Sequence, residues 1–505
     1  MPVINQNNKV GALLSPWIAA ATLPTELADV ELTGMTLDSR QVRAGEMFVA
    51  VNGHAVDGRR FIPAAIESGA AVILAEADDI AENATVVSQD GIFIVYLYDL
   101  VHLLSAIARR FYGQPDEQMK LVAITGTNGK TTISQLLAQW AEQLDYCAGV
   151  MGTTGNGLLQ QLKPAVNTTG SAIEIQQVLA GLVNDGADFA AMEVSSHGLV
   201  QGRVKALDFV ASIFTNLSRD HLDYHGDMTA YAAAKKTLFT NHQSGIAVIN
   251  ADDEVGREWL ASLPDAVAVA SEQSNLSKHS GRALWLEQVE YSTQGVTVVF
   301  DSFWGGGKFT APLVGSFNVM NLMLALATLL ATGHALSLLI ETAPRLQAVI
   351  GRMEVFQKPD KPMMVVDYAH TPDALEKALQ ALRVHCRGKL WCIFGCGGDR
   401  DNGKRPMMAG IAERLADKII LTDDNPRSED PAVIVADMLA GLQQPDLAVV
   451  IHDRHAACKW ALTSAEADDI ILVAGKGHED YQILADRTIH YSDRETVGEL
   501  LENNA

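Results

Sequence analysis

One repeated pattern constrains this chain more than any other feature. A short apolar run is followed by a polar, often glycine-rich loop, and then by apolar residues at helical spacing. Runs at 121–125, 189–192, 209–214 and 246–249 follow this theme, and it returns at 363–366, 390–394, 418–421 and 470–473. Strands buried on both faces read as unbroken apolar runs, and parallel strands need helical crossovers. The pattern therefore predicts an α/β fold with two mostly parallel sheets. In such sheets ligands sit beyond the carboxyl ends of the strands, so the loops after these runs are the candidate site.

The chain has 505 residues, too many for one core. We read three domains, at 1–100, 101–347 and 348–505. The first holds strand-like runs at 45–52, 71–74 and 92–96 and no nucleotide loop. The net charge of −23 argues against nucleic acid or an anionic membrane as a partner. Five irregularly spaced cysteines, Cys392 and Cys396 among them, form no zinc pattern and read as reduced thiols. The stretch 309–340 lacks Asp, Glu, Lys and Arg. Asn318, Asn321, Gly333 and His334, and the lack of a basic flank, favour a buried helix over a membrane span. No signal peptide precedes the first domain, so a cytoplasmic protein is expected.

Gly126-Thr127-Asn128-Gly129-Lys130-Thr131-Thr132 follows a strand and opens a helix. Backbone amides at a helix start can cradle phosphate, a lysine can reach the outer phosphates, and a threonine hydroxyl can hold Mg²⁺. The commoner loop has a further glycine where this chain has Ile124, so the match is to the shorter Gly-x-x-Gly-Lys-Thr form. Glu193 ends the 189–192 run and is either a solvated acid or a Mg²⁺ ligand. Asp220-His221-Leu222-Asp223-Tyr224-His225 offers acids and imidazoles without zinc spacing. Lys235, in an alanine-rich helical stretch, reads on sequence alone as an exposed helix lysine. Asp424-Asn425-Pro426-Arg427 and Arg400 place two guanidiniums at neighbouring strand ends, where a carboxylate can be bound bidentately.

Together with Asn167-Thr168-Thr169-Gly170, 192–197, 318–321, Gly351-Arg352, 367–372 and 475–479, these motifs resemble the Mur ligase family over nearly the whole chain. The resemblance implies a UDP-binding N-terminal α/β unit, a central P-loop ATPase domain with a mostly parallel sheet, and a Rossmann-like C-terminal domain. It implies ATP-dependent joining of meso-2,6-diaminopimelate to the D-Glu of UDP-MurNAc-L-Ala-D-Glu through an acyl phosphate, by a cytoplasmic monomer. Carried over by motif, Leu37, Ser39, His54, Ala55 and Val56 would touch the UDP end. Asn167, Thr168, Thr169, Ser195, Gln201 and Arg203 would hold the muramoyl peptide. Lys130, Glu193, His221 and Lys235 would be catalytic, and Thr131, Glu193, His221 and Lys235 would serve Mg²⁺. Lys235 matches a lysine carried in the family as a CO₂-derived carbamate, which reverses the exposed reading. Asn321 and Arg352 would contact ATP, and Arg400, Asp424, Asn425, Pro426, Arg427, Gly475 and Glu479 the incoming amino acid. A lysine-adding or folylpolyglutamate sister ligase, or a P-loop switch without ligase chemistry, would share parts of this pattern.

Overall fold

The computed structural model describes residues 8–503 apart from 54, 55, 243, 293 and 294. His54 and Ala55, expected at the UDP end, thus lie outside the described residues. The chain forms two compact units. The first runs through Ala268 and adds Lys278–Arg282 and Ala327–Gly333; the second holds the remainder.

The first unit contains two sheets. Strands β1 (Gly34–Thr36), β2 (Glu46–Ala50), β3 (Val72–Glu76), β4 (Val86–Gln89) and β5 (Ile92–Leu97) pair in the order β1-β2-β3-β5-β4. Only β4 runs antiparallel, against β5. Val49, Leu74 and Val95 pack with Leu104, Ile107 and Phe111 of the helix Leu100–Phe111, whose apolar side covers this sheet.

Strands β6 (Lys120–Thr125), β7 (Ala148–Gly152), β8 (Gly155–Leu158), β9 (Phe189–Glu193), β10 (Phe209–Phe214) and β11 (Ser244–Asn250) form the second array, ordered β8-β7-β9-β6-β10-β11. All pairs in it are parallel except β7 with β8. The apolar runs at 121–125, 189–192, 209–214 and 246–249 are β6, β9, β10 and β11, with β10 matching its run and the others one to three residues longer. The strand order turns back at β6, between β9 and β10, which makes the end of β6 a topological switch point. The helix Ala172–Asn184 starts at a capping box in which Ser171 and Glu174 exchange side-chain and backbone bonds. A further buried strand, β12 (Val267–Ala270), follows.

In the second unit, β13 (Ala283–Ser292), β14 (Gly295–Ser302) and β15 (Gly307–Ala311) form an antiparallel meander. The uncharged stretch at 309–340 ends β15 and then makes two helices, Ser316–Ala331 and Leu336–Thr342. Leu322–Leu330 is fully buried, and among the described residues no helix is long and apolar enough to cross a membrane. The last large sheet is ordered β16-β17-β21-β18-β19-β20: β16 (Glu354–Phe356), β17 (Met363–Asp367), β18 (Leu390–Phe394), β19 (Lys418–Leu421), β20 (Ala448–Val450) and β21 (Ile470–Ala474). Only β16 is antiparallel. Alternate residues of β18 feed two cores: Leu390, Cys392 and Phe394 one, Trp391 and Ile393 the other. Thr371 caps the helix Pro372–Arg383 by accepting from the Ala374 N–H, and Pro372 fills its first position, as the sequence predicts. A short hairpin, β22 (Tyr481–Ile483) with β23 (Thr488–His490), follows β21.

Candidate active site

In the first unit the chain leaves β6 through Gly126 (φ 144°) and Gly129 (φ 88°). A Cβ on Gly126 would lie 1.8 Å from Thr215 Oγ1, so close contact as well as backbone conformation requires glycine. The end of β10 pins the loop. Thr127 N donates to Asn216 O, Asn128 N to Asn216 Oδ1, and Thr215 Oγ1 to Asn128 O. The helix Lys130–Glu142 then begins. A helix start presents N–H groups without intrahelical acceptors, which suits an anion. Lys130 Nζ donates to the carbonyls of Gly126 and Thr127, both at 2.9 Å, and Thr131 and Thr132 are buried.

Glu193 ends β9 and is fully buried, which corrects the solvated reading. Its Oε1 accepts from Thr153 N (2.9 Å) and its Oε2 from Thr153 Oγ1 (3.3 Å). Room for this carboxylate exists because residue 152 is glycine: a Cβ there would lie 2.1 Å from Oε1. Thr169 Oγ1 donates to the Glu193 carbonyl and accepts from Ser195 N, while Thr168 Oγ1 sits 3.1 Å from Thr153 Oγ1. The loop at 167–169 is thereby latched to the acid. A buried carboxylate demands compensation. One threonine supplies two bonds to this carboxylate, and among the described residues no three His, Cys, Asp or Glu side chains are grouped to hold a metal ion.

Lys235 is the largest departure from the residue-level reading. It lies on the helix Met228–Thr240 yet is only 1% exposed. Its Nζ donates to Gly126 O at 2.9 Å and lies 4.6 Å from the Tyr231 ring centroid. Burial, and then the nearby Lys130 ammonium, hold this amine well below the usual lysine range, against a weaker pull from Asp220. His221 adopts φ 53° at the start of a short helix, with Nε2 3.4 Å from Asp220 Oδ2 and its ring edge-on to His197.

A cavity of about 790 Å³ in this unit is lined by the loops at the ends of β2 and β3 and by residues of 167–174 and 200–203. Leu37, Asn167, Gln201 and Arg203, all expected to hold the nucleotide-linked substrate, line it. Ser39 and Val56 are not among its lining residues; Ser39 is buried and Val56 is half exposed. Arg203 donates to Thr169 O (2.7 Å) and to Gln201 Oε1. The carboxylates in the wall are engaged: Glu76 accepts from the Leu100 and Val101 amides, Asp78 pairs with Arg59, Asp99 with His102, and Glu174 belongs to the capping box. Ser195, expected to hold the muramoyl peptide, caps the helix Ser196–Val200 by accepting from Gly198 N.

The second unit carries the remaining candidates. Asn321 Nδ2 donates to Asn318 Oδ1. Gly351 (φ 65°) packs so closely on the 475–479 loop that a Cβ would lie 2.2 Å from His478 N. This contact holds Arg352 with its guanidinium 4.8 Å from the Tyr368 ring centroid. Burial pushes the Asp367 carboxyl up, opposed by Arg352, and burial together with Arg352 pulls His478 down to about 4.

Arg427 takes a left-handed backbone (φ 52°), and its Nη1 donates to Gly398 O at 2.9 Å. Its loop fits against 395–398: a Cβ on Gly398 would lie 1.9 Å from Pro426 O. Arg400 is exposed and donates to Asp399 O. Gly475 (φ 120°) leaves room for Asp424, whose Oδ2 would lie 3.1 Å from a Cβ there. Glu479 accepts from Asn425 Nδ2 and from Tyr368 Oη, and burial pushes its carboxyl up. The candidate residues from Arg400 to Glu479 thus all fall on loops after β18, β19 and β21. Cys396 is buried, its thiol pushed up to about 12 by burial, which makes it a packing residue rather than a nucleophile.

Thr153, Tyr368 and Lys476 support this chemistry and do not emerge from residue-level reasoning. Two had a usable signal: Thr153 begins a polar glycine-containing turn at a strand end, and Lys476 stands between two glycines. Tyr368 had none beyond its place after β17.

A switch-point phosphate loop, a buried acid and lysine beside it, and strand-end arginines on a second parallel sheet define an α/β enzyme that acts on phosphorylated and carboxylate groups. Comparison with known proteins gives the family. Residues 31–112 match the Mur ligase family catalytic domain, 124–329 the Mur ligase middle domain, and 351–477 the Mur ligase glutamate ligase domain. A UDP-N-acetylmuramoyl-L-alanyl-D-glutamate–2,6-diaminopimelate ligase of Vibrio vulnificus is 58% identical over 489 residues, 97% of each chain. The Vibrio cholerae protein of that name is 56% identical over 500 residues, 99% of each chain. A solved structure with the same name is 36% identical, covers 95% of this chain and 97% of its own, and superposes with a TM-score of 0.71. The chain belongs to the Mur ligase family. Its members are ATP-dependent ligases that form amide bonds, and this chain is such an enzyme.

Proposed function

We propose that the protein joins meso-2,6-diaminopimelate to the D-Glu side-chain carboxylate of UDP-MurNAc-L-Ala-D-Glu, in cytoplasmic peptidoglycan precursor synthesis. A free carboxylate is a poor electrophile. Transfer of the ATP γ-phosphoryl group to it creates an acyl phosphate, the amine attacks the carbonyl carbon, and phosphate leaves as the amide forms. The observation that carries the assignment is Arg427, donating to Gly398 O from the strand-end loop that also holds Asp424 and, through Asn425, bonds Glu479. Diaminopimelate differs from lysine by one more carboxylate, which a guanidinium binds and an empty subsite would miss.

Residues 126–132 cradle the ATP phosphates, and Asn321 and Arg352 are the further nucleotide contacts that the family resemblance implies. Thr131, Glu193 and His221 would hold Mg²⁺, which neutralises phosphate charge when bound. Lys235 carries a carbamate. Only an uncharged amine attacks CO₂, and burial beside Lys130 favours that form; loss of the N–H proton then leaves an anionic carbamate next to the Lys130 ammonium. The cavity containing Leu37, Asn167, Gln201 and Arg203 takes the nucleotide-linked peptide. Three domains bounded near 100 and 347 divide these tasks, and the enzyme acts as a monomer, which sedimentation would check.

The test is ATP-dependent phosphate release with UDP-MurNAc-L-Ala-D-Glu and a panel of amino acids. Release dependent on both co-substrates and strongest with meso-diaminopimelate is expected. Equal turnover of lysine and diaminopimelate would overturn the specificity, and hydrolysis indifferent to both co-substrates would favour a nucleotide switch.

A further inference from the structure

Lys476 lies in the second unit on the loop after β21, flanked by Gly475 (φ 120°) and Gly477 (φ 53°). These two conformations turn the loop tightly, and the lysine between them is 0% exposed. Its Nζ donates to Asn425 Oδ1 (3.1 Å) and to Tyr481 O (2.7 Å). Two carboxylates flank it, Asp424 Oδ1 at 3.4 Å and Glu479 Oε2 at 3.6 Å. Asp424 Oδ1 is itself buried and makes no hydrogen bond. One ammonium thus gathers acceptors from the loop after β19, the loop after β21 and β22.

A buried ion network is a poor route to stability, because desolvation offsets much of the attraction. Its geometry has a different consequence. Asp424 and Glu479 converge on one ammonium, and two carboxylates brought together raise each other's proton affinity unless a cation stands between them. We infer that Lys476 is a positioning residue for amino-acid selection: it holds Asp424 and Glu479 together so that they can receive an ammonium group of the incoming amino acid. Lys476 does not itself touch the substrate. Arg427 takes the carboxylate and the acidic pair takes the amine, which suits a zwitterionic end. This inference rests on the reading of 424–427, 475 and 479 as the amino-acid pocket.

The groups facing Glu479 are Lys476, Asp424, Tyr368 and Tyr481. Burial pushes the Glu479 carboxyl up, and Lys476 is the largest opposing influence. Lys476→Met removes the charge at nearly constant volume. The expected result is a rise in KM for diaminopimelate on the order of tenfold to a hundredfold, while KM for ATP and for UDP-MurNAc-L-Ala-D-Glu stays within about twofold. The acidic limb of kcat/KM for diaminopimelate should also move to higher pH, because Glu479 then holds its proton more tightly. A purely structural lysine would raise all three KM values together and leave the limb in place, and that outcome overturns the inference. If Lys476→Met does not fold, Lys476→Gln, which retains N–H donors, is read by the same limb shift. Arg427→Ala, measured in parallel, separates the two claims. If it raises KM for diaminopimelate and the Lys476 variants do not, the positioning role fails alone. If neither variant affects diaminopimelate, the pocket assignment fails with it.

Discussion

Gly152→Ala is the smallest change that tests whether Glu193 is positioned for chemistry. The added Cβ would lie 2.1 Å from Glu193 Oε1 and 2.6 Å from its Cδ and Cγ. That is about 1.3 Å short of the distance at which ordinary carbon–oxygen contact begins. The carboxylate is tethered to Thr153 N and Oγ1, so it must give up at least one of these bonds to move. The backbone at 152 is not in the left-handed region, so alanine adds contact and not conformational strain. Displacing a catalytic group by about 1 Å costs about a hundredfold in rate, which is about 2.7 kcal/mol of barrier. Overpacking of the fold should cost about 1–3 kcal/mol in stability. Gly149→Ala on the same strand is the control, because the atoms nearest its Cβ all belong to the Leu182 side chain, the first at 2.8 Å. Steady-state phosphate release and thermal melts on both variants are the assay. The expected result is similar destabilisation of the two, with the hundredfold fall in kcat confined to Gly152→Ala. Full activity of Gly152→Ala, or equal activity losses in both, would refute the placement of Glu193.

Lys235→Ala should be nearly inactive and partly restored by small carboxylates, and labelled bicarbonate should give a carbamate signal in the unmutated enzyme only; full activity with an unmodified amine would sink the proposal. Arg427→Ala should raise KM for diaminopimelate by about tenfold to a hundredfold with nucleotide binding unchanged, as titration of each ligand would show. Arg454 and Asp493 form a buried pair at 2.7 Å, so Arg454→Met should cost about 3–5 kcal/mol in urea unfolding, and the apolar double variant with Asp493→Leu less. His478 is pulled down to about 4, and burial also lowers His242, His370 and His385. For such groups the unfolded chain binds protons first, so stability is full above pH about 6.5 and falls as the pH drops toward about 4. His478→Gln should flatten that dependence in denaturant midpoints measured between pH 7.5 and 5; an unchanged slope would count against it.

Backbone pattern made most of the fold legible. Continuous apolar runs placed β6, β9, β10, β17, β18, β19 and β21 to within a few residues, and Thr371-Pro372 marked its helix start. These signals are local: each depends on residues close in sequence. Strand order is not local, so the switch point at β6 and the pairing of β17 with β21 needed the folded chain.

The phosphate loop was readable because its glycines, lysine and threonine are contiguous, and the strand-end arginines because turns announce themselves in composition. Lys235 and Glu193 show where that reading stops. An alanine-rich helix gives no sign of which face will be covered, and only the approach of Gly126 O to Lys235 Nζ shows that its lysine points inward. A strand-end acid looks solvated until Thr153 and the empty space at Gly152 enclose it. The sequence by itself determined which chemical groups lie at the strand ends, because backbone periodicity is a short-range property. The tertiary structure alone decided which of those groups are buried, charged and paired, because desolvation and electrostatic neighbours belong to the packed chain.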